Sequence, residues 1–132
     1  MDVVITQWAL DSYLDLKHKN VFRRMEFDTK IKPDVKLLKH YPNDPKFGNG
    51  KFWSPATDKN SKVISAGFKM KWHQIGNGRV QLRLPVAILN DTLLCEGYVK
   101  SNDKIDKRMM ARFKTHIQLI QQDRFVSRGV IT

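Results

Sequence analysis

His73, Arg83, Tyr98 and Lys71 are the residues of this chain whose types and spacing could carry out a reaction. Cleavage of RNA without a metal needs a base for the 2′-hydroxyl, cations around the pentacoordinate phosphate and an acid for the departing 5′-oxygen. His73, or a lysine whose pKa is depressed by neighbouring lysines, would be the base. Arg83 and Lys71 would clamp the phosphate, and Tyr98 would donate a proton or offer a ring on which a base stacks. Lys69, Arg79, Gln81 and Lys100 stand at nearby pattern positions, and Arg108 and Arg112 add cations for backbone phosphates.

These residues need a sheet to bring them together. Period-two alternation runs through 68–100 in three segments, parted by turn signals at Gly76-Asn77-Gly78 and Asn90-Asp91, which predicts an antiparallel meander. Phe68, Met70 and Trp72 oppose Lys69, Lys71 and His73. Val80, Leu82, Leu84, Val86 and Ile88 oppose Arg79, Gln81, Arg83 and Pro85, and Leu93, Cys95, Gly97 and Val99 oppose Leu94, Glu96, Tyr98 and Lys100.

A slip of one residue would set apolar positions against polar ones, so the faces test the register. A three-residue loop 76–78 with Gly78 left-handed pairs Trp72 with Leu82 and Lys71 with Arg83. A two-residue Asn90-Asp91 turn pairs Ile88 with Leu93, Val86 with Cys95, Arg83 with Tyr98 and Gln81 with Lys100. One face is then apolar and must be covered by helices. The other gathers Lys69, Lys71, His73, Gln81, Arg83, Glu96, Tyr98 and Lys100, with a single acid among them, whereas an ordinary wetted sheet face mixes signs. Neither Arg83 nor Tyr98 is predicted to enter the core.

The other elements follow from their periods. Val3-Val4-Ile5 reads as a short strand ending at Thr6, which caps an amphipathic helix carrying Ala9, Tyr13 and Leu16 and fading near Lys19-Asn20. A second helix runs through Ile31, Val35 and Leu38, opened by Pro33 and closed by Pro42, with 21–29 extending one helix or the other. Pro42, Pro45, Gly48, Gly50 and Pro55 make 42–66 a long loop or insertion, partly strand around Lys51-Phe52-Trp53. Ser101 to Asp103 cap a third helix with Ile105, Met109, Phe113, Ile117 and Ile120 on one side. Residues 123–132 are expected to form a mobile tail, although Phe125, Val126, Val130 and Ile131 could add a strand. The expectation is a single α+β domain over 1–122.

Composition narrows the partner. The chain has 132 residues with 24 Lys plus Arg against 13 Asp plus Glu, a formal charge of +11. That excess favours a polyanion, nucleic acid first. The single cysteine, Cys95, excludes a thiolate cluster or an intrachain disulfide and suits a reducing compartment. It is expected on the apolar face as a buried structural residue. His18, His40, His73 and His116 lack metal-site spacing, so neither a metal nor a cofactor is expected. Without a long apolar run or a secretory leader pattern, the expected location is cytoplasmic and away from membranes.

The element order, with Ala-x-x-x-Tyr-x-x-Leu (Ala9, Tyr13, Leu16) in a helical hairpin followed by a basic meander and a terminal helix, resembles the RelE/ParE superfamily of type II toxin-antitoxin toxins. The resemblance implies an N-terminal strand and helical hairpin packed on the antiparallel sheet. On its RelE-like branch it implies a ribosome-dependent mRNA endonuclease that inhibits translation and is neutralised by a cognate antitoxin. Lys69 and Lys71 then match the family's paired basic positions, Arg79 and Arg83 its strand arginines and Tyr98 its late aromatic. The ParE-like branch shares the scaffold and inhibits DNA gyrase. Outside the resemblance stands a non-catalytic nucleic-acid-binding module using the same face with Trp53, Trp72 or Tyr98 for base contacts.

Overall fold

The structure, a computed structural model, describes residues 1–132. Strand β1 (Val3–Thr6) runs directly into helix α1 (Gln7–His18). Thr6 makes the junction: its Oγ1 accepts from the Ala9 N–H at 3.2 Å, and its hydroxyl donates to the Leu94 carbonyl at 2.7 Å. The chain leaves α1 through Asn20 at φ 56°, a left-handed position that asparagine tolerates.

Helix α2 occupies 24–40 as four joined turns: α-helix Arg24–Glu26, π-helix Phe27–Ile31, α-helix Lys32–Lys36 and 3₁₀-helix Leu37–His40. Pro33 has no N–H to give to the preceding turn, and the helix widens just ahead of it. The stretch from 24 therefore extends the second helix rather than the first.

Most of 42–66, expected as a long loop, is built structure. It holds a 3₁₀ turn at Pro45–Gly48 and strand β2 (Trp53–Thr57), and it enters β3 (Val63–Gln74). Asp58 closes the β2–β3 turn by accepting from the backbone N–H groups of Asn60 and Lys62 at 2.8 and 3.1 Å. Strands β4 (Val80–Ile88), β5 (Thr92–Leu94) and β6 (Tyr98–Val99) complete the expected meander. Helix α3 (Asp103–Gln121) follows, capped by the Asn102 side chain, which accepts from the Ile105 N–H at 2.8 Å. In the tail, β7 (Ser127–Val130) pairs antiparallel with β1.

The seven strands form one mixed sheet in the order β2-β3-β4-β5-β1-β7, with β6 also on β4 and a single parallel pair, β1–β5. The fold is thus α+β, as expected. The first hairpin has the expected register along its strands, Trp72 opposite Leu82 and Lys71 opposite Arg83, with Gly78 at φ 80°, but at the turn Ile75 bridges Val80, so the loop takes four residues, 76–79, and not the expected three. The second does not keep one register throughout. Arg83 faces Tyr98 and Leu82 faces Val99, but Leu94, not Cys95, faces Val86, and Thr92, not Leu93, faces Ile88. One extra residue is taken up between Leu94 and Tyr98, a bulge that turns Leu93 and Cys95 to the opposite face from the one expected.

That reversal decides the layering. On one face, α1 and α2 cover Val3, Met70, Trp72, Leu82, Val86 and Leu94. On the other, α3 lays Met109, Met110, Phe113 and Ile117 against Val4, Ala56, Ile64, Ala87, Leu93, Cys95 and Tyr98. Small residues admit the helix there: a Cβ on Gly67 would stand 2.9 Å from Phe113 Cε2. The second sheet face, expected to be open, lies partly under α3 because the helix's apolar stripe needs a partner and the bulge supplies one.

Candidate nucleic-acid interface

The predicted basic face exists, and α3 divides it. Lys69, Lys71 and His73 project from β3, Gln81 and Arg83 from β4, Tyr98 from β6, and Lys100 follows β6. Under the first turns of α3, Arg83 is 4% and Tyr98 5% exposed, so both enter the core, contrary to expectation. The Arg83 guanidinium donates to Gln81 Oε1 at 2.9 Å and to the Leu82 carbonyl at 3.3 Å.

Tyr98 gives its hydroxyl proton to Asp106, whose other oxygen sits 3.4 Å from Lys69 Nζ. Burial, reinforced by the Asp106 carboxylate, pushes the Tyr98 phenol far above its ordinary range. Asp106 is the acid at the centre of this group of cations, and the sequence pattern did not single it out. Its only signal was a place in the first turns of a capped helix, where an acid is ordinary.

Lys71 and His73 border the open part of the face and also brace the strand edge. Lys71 Nζ donates to the Gly50 carbonyl at 2.6 Å. His73 Nε2 lies 2.7 Å from the Lys51 carbonyl, which can only accept, so that nitrogen carries the proton. Lys71 is held below the ordinary lysine range by burial first, then by the charges of Lys69, Arg83 and Lys100, with Asp106 opposing. Lys100 Nζ reaches Asp103 at 3.8 Å on the rim. Burial also lowers Arg83, which remains a cation because guanidinium does not deprotonate in proteins.

The remaining predicted residues do not join this group. Arg79 is exposed at the hairpin turn. Arg112 is tied to Glu96 by two hydrogen bonds of 3.0 and 3.1 Å. Arg108 lies on the outer side of α3, in a groove with Lys107, Lys114 and Lys59. Trp53 and Trp72, offered for base stacking, are buried in the first core, where Trp72 Nε1 donates to Asp34 at 2.9 Å. Cys95 is buried as expected but on the α3 side, its thiol pushed up to about 12 by burial. No three His, Cys, Asp or Glu side chains converge as a metal site would require.

The arrangement is therefore a shallow cationic face: Lys69 and Arg83 form its floor, Lys71, His73, Gln81 and Lys100 its border, Asp106 the countercharge at its centre and Asp103 a second on the rim. Such a face can neutralise phosphates, and a lysine crowded by other cations loses its proton more readily than an isolated one. No helix is long and apolar enough to cross a membrane. Comparisons with protein families, with curated proteins and with solved structures return no match to this chain.

Proposed function

We propose that this protein is a cytoplasmic toxin of the RelE-like kind, an endonuclease that cleaves mRNA on the ribosome, inhibits translation and is held inactive by a cognate antitoxin lying over its basic face. One observation carries the reading. Lys69, Lys71, Arg83 and Lys100 gather around Asp106 on one sheet face, where burial first and then the other three cations hold Lys71 below the ordinary lysine range.

In this mechanism the deprotonated fraction of Lys71 takes the 2′-hydroxyl proton. The 2′-oxygen then attacks phosphorus, the bond to the 5′-oxygen breaks, and a 2′,3′-cyclic phosphate forms. The imidazolium form of His73 gives its Nδ1 proton to the departing 5′-oxygen, its Nε2–H staying on the Lys51 carbonyl. Lys69, Lys100 and the Arg83 charge beneath them stabilise the phosphorane. Tyr98 is assigned a positioning role through Asp106, because its hydroxyl is already committed.

A second reading, a non-catalytic nucleic-acid-binding module, is favoured by the burial of Arg83 and Tyr98. Induced expression of the wild type and Lys71→Ala in bacteria, with growth followed and mRNA 5′ ends mapped, separates the two. Growth arrest with new ends that disappear in the variant supports the toxin. Salt-dependent RNA binding without new ends, its log–log slope falling by about 0.7 per cation removed, supports the binding module instead.

A further inference from the structure

On the sheet face opposite the cations, α1 and α2 do not close over the strands. They leave a cavity of about 420 Å³, walled by Leu10, Tyr13 and Leu16 of α1 and Phe27 and Ile31 of α2, with Leu84 among its floor residues. Ala9 is the only buried residue of α1; Tyr13 packs on Phe22 and Phe27, ring centroids 5.9 and 5.0 Å apart, while Leu10 and Leu16 remain partly exposed toward the cleft. The π-turn Phe27–Ile31 contributes both Phe27 and Ile31 to the wall. The volume falls among small-ligand sites, roughly 300–1,000 Å³.

The charge around it is one-sided. Lys32 and Lys36, one turn apart on α2, line the cavity together with Arg83 of β4, and no acidic residue does. Neither lysine is among the ion-paired cations, which are Lys19, Arg24, Lys46, Lys69, Lys100, Arg112 and Lys114. An apolar chamber with two free ammonium groups beside it fits a molecule that is apolar along its length and anionic at one end.

We infer that the α1–α2 cleft binds a fatty-acid-like amphiphile, one acyl chain ending in a carboxylate, with the chain against Leu10, Leu16, Phe27 and Leu84 and the carboxylate between Lys32 and Lys36. A methylene fills about the ~30 Å³ of a water molecule, so the cavity accommodates on the order of a dozen carbons. Arg83 lines this cavity as well as the floor of the cationic face, but the inference does not rest on the RNA reading, since Lys32, Lys36 and the α1 and α2 side chains that define the cleft take no part in it.

The test titrates the protein with octanoate, decanoate and laurate below their micelle concentrations, by calorimetry and by tryptophan fluorescence, to which Trp72 in the cavity lining contributes. Saturable 1:1 binding is expected, tightening about fourfold per added methylene. The double variant Lys32→Glu/Lys36→Glu, both changes at the cleft mouth with folding checked by circular dichroism, should weaken laurate at least about tenfold through charge repulsion and leave dodecanol unchanged. Lys71→Ala should leave laurate affinity as it was. Absence of saturable laurate binding up to about 1 mM, or equal affinity for all chain lengths, overturns the proposal. So does laurate affinity that responds to Lys71→Ala rather than to the double variant, or a cleft that takes only an acidic amphipathic peptide.

Discussion

The Asp106 carboxylate ties the first turns of α3 to the basic sheet face, and its removal has a calculable cost. In Asp106→Ala the Tyr98 hydroxyl, on a residue 5% exposed, loses its acceptor, a deletion worth about 1–3 kcal/mol. Lys69, whose side chain is 12% exposed, loses its partner among like charges, and together the two losses amount to about 3 kcal/mol. Tyr98→Phe removes the donor but leaves the Asp106–Lys69 pair, so it should cost only about 1–2 kcal/mol. The double variant should then fall short of additivity by about 1.5 kcal/mol, the worth of a hydrogen bond to a charged acceptor. Asp103→Ala is the control: that side chain is 88% exposed and has only a 3.8 Å surface pair with Lys100 besides the helix-terminus effect, together under about 1 kcal/mol. Urea unfolding read by tryptophan fluorescence and far-ultraviolet circular dichroism measures all four. Additivity within about 0.5 kcal/mol, or an Asp106→Ala no costlier than Asp103→Ala, would falsify the claim that α3 is seated on the basic face through this carboxylate.

Two further outcomes are expected. His116 stacks on Trp8 at 3.9 Å with its Nδ1 buried and unpartnered, and burial first, then Arg112, lowers its pKa to about 4. Its folded-state pKa lies below the unfolded value near 6.5, so this contribution is complete above about pH 6.5 and is lost as pH falls toward 4. The wild type should thus lose on the order of 2–3 kcal/mol more than His116→Phe over that window in pH-dependent urea unfolding. Cys95, 0% exposed with its thiol pushed up to about 12, should resist a thiol reagent in the native protein and react fully in denaturant. Labelling at equal rates in both conditions would refute its burial.

Much of the scaffold was legible along the chain because it depends on local rules. Thr6 and Asn102 are short-range caps, each accepting from the N–H three residues on. The Gly76-Asn77-Gly78 turn sets the first hairpin's register through backbone conformations available to glycine and asparagine, all at positive φ. The cations of β3 and β4 could be assigned to one face because side chains alternate with period two. The structure in the 42–66 stretch was hidden because its signals are partners rather than patterns: β2 is a strand because it pairs with β3, Trp53 opposite Met70.

By itself, the sequence determined the first strand, the three helices and the meander in their order, the excess positive charge and the clustering of cations on alternate positions of the meander, all properties of spacing and composition. Only the tertiary structure decided what that face became. The bulge between Leu94 and Tyr98 sent Leu93 and Cys95 to the second face, α3 docked there on small residues, and Arg83 and Tyr98 passed from expected surface to core around Asp106. A one-residue change of register reverses which side of a sheet is apolar, yet at this bulge it alters no local preference that a linear reading detects.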